Sequence, residues 1–247
     1  MIMRIPINWL KDYVQVSEKL ADLTDKLTMA GHMLDKLDKV NDDTIIDLEL
    51  RGNRADCYSI LGIAREVSAI YKTPVIYPKT YNKAPKVSQL KDVKLAIDTK
   101  YLQRVMIVPI NNIKLLPSPE WLSIRLKEYG IPSINNIVDL SNYVMLETGQ
   151  PLHTFDFDKI GGNLKIRIAK NGEKMTTFLG QTLSLTDDDL VWANTDSILS
   201  IAGAIGEKTH SISNETKNVL LEGASYNQAN IRRTIHRHNL LTDAGIR

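Results

Sequence analysis

The stretch from Pro74 to Asp92 constrains this chain most, because Pro74, Pro78 and Pro85 crowd into it with few long apolar runs between them. Each proline fixes its own φ and lacks an N–H to donate, so neither a continuous helix nor a central strand crosses such a segment. It reads as a linker. It separates a short leading part from a longer trailing one, and 247 residues are ample for a real core.

Before the break, Leu20, Leu23, Leu27 and Ala30 recur at helical spacing. Ser17 stands where a cap is wanted, and Gly31 where a left-handed terminus is wanted. Ile46, Leu48 and Leu50 alternate with Asp47 and Glu49, the pattern of a half-buried strand. Ile60, Ile63, Val67 and Ile70 then mark a second helix ending near Tyr71.

After the break, residues 93–97 and 104–110 are strand-like. Ser118-Pro119-Glu120 predicts a helix start, with serine as the cap, and that helix ends at Gly130. Asn135 or Asn136 caps another helix through Leu146. Strands then dominate: Leu164, Ile166 and Ile168 alternate with Lys165 and Arg167, and Asn171-Gly172 turns the chain. Further strands fall near residues 191–193, 198–202 and 219–222, and a basic helix closes the chain over 227–239. The expected class is α+β: a small helix-and-strand domain over 1–80 and a larger mixed α+β domain over 85–247.

Composition excludes more than it assigns. With 43% hydrophobic and 24% charged residues, the chain is neither disordered nor a coiled coil as a whole. No apolar run approaches the ~18 residues of a spanning helix, so no membrane partner is expected. Residues 1–10 lack the apolar run of a secretory signal. One cysteine, Cys57, makes neither an internal disulfide nor a zinc site, and a cytoplasmic location is expected. A net charge of +2 is too balanced to point to nucleic acid by itself.

Generic phosphate-loop, nucleophile-elbow and zinc-protease motifs are absent. Gly203-Ala204-Ile205-Gly206 reads as a tight turn rather than a phosphate cradle. Asp187-Asp188-Asp189 reads as a solvated turn. His153 is structural or a base. Arg232, Arg233, His236, Arg237 and His238 are a solvated helix face or a phosphate contact.

Longer segments go further. Ile137-Val138-Asp139-Leu140-Ser141-Asn142-Tyr143, followed by Gly149-Gln150-Pro151-Leu152-His153 and Phe155-Asp156, resembles the editing domain of bacterial phenylalanyl-tRNA synthetase beta subunits. Asn53-Arg54-Ala55-Asp56-Cys57, Pro117-Ser118-Pro119-Glu120-Trp121-Leu122, Ile201-Ala202-Gly203, Leu221-Glu222, Ile231-Arg232-Arg233-Thr234 and Thr242-Asp243-Ala244 fit in the same order. Four features depart from that family. Only residues 32–45 stand where an oligonucleotide-binding-fold domain is usually inserted, and the family continues well past Arg247, so a fragment is expected. Glu207 stands where a second glycine is common, and Gly245 where serine is common.

The resemblance implies hydrolysis of the ester in Tyr-tRNA(Phe) by a positioned water. Phenylalanine ligation itself is expected on the alpha subunit. An apolar pocket rejects an added hydroxyl by only about 100-fold, so a second site that favours the hydroxyl is useful. By resemblance, Glu222 reads the phenol. His153 is the catalytic candidate, with the tRNA's own terminal hydroxyl an equal one as base. Ser141 and Asn142 lie near the terminal adenosine. Gly203 and Gly206 form one pocket wall, and Thr242 and Ala244 the other. Arg232, Arg233 and Arg237 are candidates for tRNA contacts on charge alone. No metal or cofactor is expected in this chain; ATP and magnesium belong to the complete synthetase. The expected partners are tRNA(Phe) and the alpha subunit. Two alternatives stand beside this reading: a non-catalytic tRNA-docking scaffold with a decayed pocket, and a free-standing trans-editing deacylase.

Overall fold

A computed structural model describes residues 2–16, 19–77 and 93–247. The expected cap Ser17, and Pro78 and Pro85 of the expected linker, lie outside these residues. The fold is α+β, as the patterning implied, and it forms two compact units. One comprises Met1–Lys83 and Leu116–Gln150, the other Ala84–Leu115 and Pro151–Arg247. This division differs from the 1–80 and 85–247 division read from the sequence. The chain leaves the first unit, contributes two strands to the second, and returns to the first with a helical hairpin.

The first unit begins with β1 (Ile2–Pro6), α1 (Ile7–Leu10) and α2 (Leu20–Met29), and Gly31 ends α2 at φ +98°. The strands β2 (Met33–Val40) and β3 (Asp43–Glu49) follow as a hairpin and occupy residues 32–45 almost completely. β3 is the central strand in the order β1-β3-β2, antiparallel on both sides. Centrality buries both of its faces, so Asp47 is 8% exposed rather than facing water, and the guanidinium of Arg4 stands 3.8 Å from it.

A 3-10 turn at Ala55–Cys57 leads into α3 (Ile60–Tyr71), and the returning segment forms α4 (Glu120–Tyr129) and α5 (Asn136–Thr148). α4 packs on β1 and α5 on α3, which assigns the hairpin to this unit. Asn135 caps α5 as expected, accepting from the N–H groups of Ile137 and Val138. Ser118 does not cap α4. Its hydroxyl donates to Asp139 instead, a fully buried carboxylate that also accepts from Ser133 and the Ile134 N–H. A buried carboxylate without donors is costly, and that need outweighs an optional cap. Trp9, Leu23, Leu48, Ile63, Leu126 and Leu146 share the core of this unit.

In the second unit, β4 (Lys94–Asp98) and β5 (Leu102–Ile110) precede β6 (His153–Asp156), α6 (Phe157–Ile160) and β7 (Asn163–Ile168). A hairpin of β8 (Lys174–Thr176) and β9 (Thr182–Ser184) comes next, then β10 (Leu190–Ala193), β11 (Ile198–Ile201), β12 (Ile205–Gly206) and β13 (Val219–Tyr226). The helices α7 (Gln228–His238) and α8 (Asp243–Ile246) end the chain. One sheet has the order β12-β11-β10-β7-β4, with β4 parallel to β7. Another has the order β5-β13-β6, antiparallel throughout. Leu190 and Trp192 from the first share one apolar core with Phe155 and Leu220 from the second.

Candidate active site

β13 positions the site. In its sheet, Glu222 lies opposite Ile107 on one side and His153 on the other. Opposed residues of an antiparallel pair point to the same face, so His153 and Glu222 are neighbours there. The strand's period of two turns Leu220 and Glu222 toward the core, and Glu222 is only 6% exposed.

Burial raises the Glu222 pKa to about 7, because a desolvated carboxylate resists ionisation. The Tyr226 hydroxyl, four residues on, donates to Glu222 Oε1 at 2.9 Å and partly opposes that rise. Tyr226 in turn accepts from the Trp192 indole N–H at 2.8 Å. The carboxylate thus ends a short hydrogen-bond chain that links the two sheets.

His153 is half-buried and makes no hydrogen bond to the described residues. Its ring meets the edge of Phe155, with centroids 4.3 Å apart. This apolar setting lowers its pKa to about 4, so the imidazole is neutral at physiological pH. Gly206 lies flat against it: a Cβ there would approach His153 Cε1 to 2.7 Å. Gly203, at φ +67°, backs the ring of Tyr226, where a Cβ would stand 3.1 Å from Cδ2. Each glycine therefore gives room to an aromatic ring of the site.

Thr242 caps α8 and ties it to the same turn. Its hydroxyl accepts from the Gly245 N–H at 3.1 Å and donates to the Ala204 carbonyl at 3.0 Å. Ala244 follows in α8, half-buried. The two departures from the family pattern have local explanations. Glu207 accepts from the backbone and hydroxyl of Thr209 and pairs with His210 Nδ1 at 2.7 Å, which builds the 207–210 turn. A Cβ at Gly245 would stand 2.4 Å from Ile235 Cδ1, so glycine lets α8 close on α7.

The remaining predicted residues belong to other elements. Ser141 and Asn142 are in the middle of α5, in the first unit, and Ser141 back-bonds to the Ile137 carbonyl. Arg233 and Arg237 are ion-paired: Arg233 Nε stands 2.8 Å and Arg237 Nη2 2.9 Å from Asp188 Oδ2. Asp189 is fully buried and accepts from Thr234, Arg237 and His238. Asp188 and Asp189 therefore anchor α7, and only Asp187 of the run is exposed as a solvated turn residue. Arg232 alone of the three arginines is exposed without an ion pair among the described residues.

Among the described residues, one group with metal-ligand chemistry occurs in the first unit, where His32, Cys57 and Glu66 place ligand atoms within 4.8 Å of one another. The Arg54 guanidinium already serves it as the cation, donating to Glu66 at 2.6 Å and to Cys57 Sγ at 3.1 Å. Burial pushes the Cys57 thiol up to about 12 in this arrangement.

Residues 102–247, more than half of the chain, match the family described as the B3/4 domain. This chain belongs to the B3/4 domain family. His153, Gly203, Gly206, Glu222, Thr242 and Ala244 all fall within the matched B3/4 residues. The chain is 42% identical over 210 residues to the phenylalanine--tRNA ligase beta subunit of Fusobacterium nucleatum, covering 83% of this chain and 26% of that protein. It is 39% identical over 219 residues to the protein of the same name from Carboxydothermus hydrogenoformans, covering 86% of this chain and 27% of that protein. The chain thus spans about a quarter of the length of these relatives. Among solved structures it is similar to an N-terminal fragment of the phenylalanyl-tRNA synthetase beta subunit from Pyrococcus horikoshii, with a TM-score of 0.49, 17% identity, and coverage of 99% of this chain and 74% of that one.

The signal that Tyr226 belongs to the site was present in the strand. Glu222, Ala224 and Tyr226 share one face at period two, although a bulge intervenes between Ser225 and Tyr226. Trp192 carried no such signal, because its partner is distant in sequence.

Proposed function

We propose that this chain is the editing part of a phenylalanine--tRNA ligase beta subunit, and that its B3/4 unit hydrolyses the ester of Tyr-tRNA(Phe). The observation that carries the reading is Glu222, a buried carboxylate with one oxygen held by Tyr226 and the other, Oε2, without a donor among the described residues. A tyrosyl ester supplies the missing donor through its phenol, and a phenylalanyl ester leaves the acceptor unsatisfied. An unsatisfied buried acceptor costs about 1–3 kcal/mol, enough to discriminate.

In the proposed reaction water attacks the ester carbonyl carbon, the acyl C–O bond breaks, and tyrosine and tRNA with a free terminal hydroxyl leave. An imidazole held near pKa 4 is a weak base at neutral pH. We therefore assign His153 to hold the water or the ester by hydrogen bonding, and the neighbouring terminal tRNA hydroxyl to relay the water's proton to the departing ester oxygen. Ligation, with its ATP and magnesium, is placed on the complete synthetase with the alpha subunit. Arg232 is the remaining exposed candidate for a tRNA phosphate.

The test is deacylation of Tyr-tRNA(Phe) by the purified chain, with Phe-tRNA(Phe) as the control. Selective release of tyrosine supports the reading. A folded chain that releases neither amino acid, alone or within the complete subunit pair, contradicts it and favours a scaffold role.

A further inference from the structure

We infer that Tyr226 is a positioning and specificity-determining residue of this site, holding the Glu222 carboxylate through Oε1 so that Oε2 is presented to an incoming phenol. The inference rests on the esterase reading above.

The direction of the hydrogen bonds makes the argument. An indole N–H donates only, so Trp192 consumes an acceptor site on the Tyr226 oxygen. The single proton of that phenol is then committed to Glu222, at 2.9 Å. The carboxylate accepts there and is held from one side. Its second oxygen receives nothing from the described residues. The site thus contains an internal phenol in the geometry that a substrate phenol must copy. A group so held loses little entropy when the second phenol arrives, because its orientation is already paid for in folding. The bond also favours the charged, acceptor-only form of Glu222 against the burial that opposes it. The titratable groups facing Glu222 are Tyr226 on its own strand and His153 across the register; Ile107 opposite on β5, Trp192 on β10 and the glycines at 203 and 206 add none.

The experiment compares the wild-type chain with Tyr226→Phe. Hydrolysis of Tyr-tRNA(Phe) and Phe-tRNA(Phe) is followed between pH 5 and 9, and the Glu222 carboxyl is titrated by carbon NMR, with Glu222→Gln identifying its signal. The expected result is at least tenfold lower discrimination between the two esters. The Glu222 titration moves to higher pH, and the pH profile of tyrosyl-ester hydrolysis moves with it. Trp192→Phe, which leaves the Tyr226 hydroxyl in place, is expected to lie between the two and serves if Tyr226→Phe fails to fold. Equal discrimination and an equal Glu222 titration in wild type and a folded variant overturn the role of Tyr226 alone. Absence of hydrolysis by the wild-type protein overturns the esterase reading itself, and the titration then reports separately whether Tyr226 holds Glu222.

Discussion

Glu222 and His153 face each other across the β13–β6 register with opposite pKa displacements, the carboxyl raised to about 7 and the imidazole lowered to about 4. Both shifts have one cause, burial in an apolar setting, and both groups are therefore neutral over the same range. Between about pH 4 and pH 7 this pair carries no charge, although each residue alone would be charged over part of that range in water.

That relationship predicts compensating pH effects on stability. Glu222 has a raised folded pKa, so its contribution is full below the unfolded value near 4.5 and is lost as pH rises through 7. His153 has a depressed folded pKa, so stability is lost as pH falls from 6.5 through 4. Each displacement corresponds to about 3 kcal/mol. In the shared window the slopes oppose each other. Urea unfolding of Glu222→Gln is expected to show stability rising with pH between 4.5 and 6.5, and of His153→Gln to show it falling. Parallel profiles in the two variants would sink the assignment.

Gly206→Ala tests the seat of His153. The new Cβ would lie 2.7 Å from Cε1 of a ring that already packs on Phe155. Overpacking of this kind costs about 1–3 kcal/mol, and the imidazole must turn away. Deacylation is expected to fall by more than the loss of folded protein accounts for, read by rates at a temperature well below the variant's Tm. Unchanged deacylation would show that the ring position is immaterial.

Asp189→Ala tests the anchor of α7. The carboxylate is fully buried and receives Thr234 at 2.9 Å, His238 at 2.8 Å and the Thr186 N–H at 2.8 Å. Removing it strands these donors beside Arg237, and a loss of about 3–5 kcal/mol is expected in chemical denaturation. A loss below about 1 kcal/mol would mean that the helix is held by its apolar face alone.

The arginines of α7 are expected to separate by role. Arg237→Ala should lower stability, because it breaks pairs with Asp188 and Asp189. Arg232→Ala should leave stability unchanged and reduce the salt dependence of tRNA binding by about one phosphate contact. The same salt slope in both proteins would remove Arg232 from the interface.

Much of this was legible in the chain. Asn135 capped its helix, Gly31 and Gly130 ended theirs in the left-handed region, and Leu164 and Ile166 took the buried strand face that their alternation with Lys165 and Arg167 implied. Such features depend on interactions within a few residues, so local composition encodes them. The pattern singled out His153 only as structural or a base and Glu222 only as a carboxylate ending an apolar run; the roles proposed for them came from resemblance, not from spacing.

What the tertiary structure alone decided is the pairing of distant parts. Ser118 gave up its cap for Asp139, Asp188 and Asp189 became the anchor of a basic helix, and the segment 116–150 joined the N-terminal unit. The chain from Trp192 through Tyr226 to Glu222 joins two sheets. Each of these outcomes follows from a buried polar or charged group that must find a partner. Local sequence states that such a group exists, but which partner it meets depends on how whole faces pack, and that is a property of the assembled core.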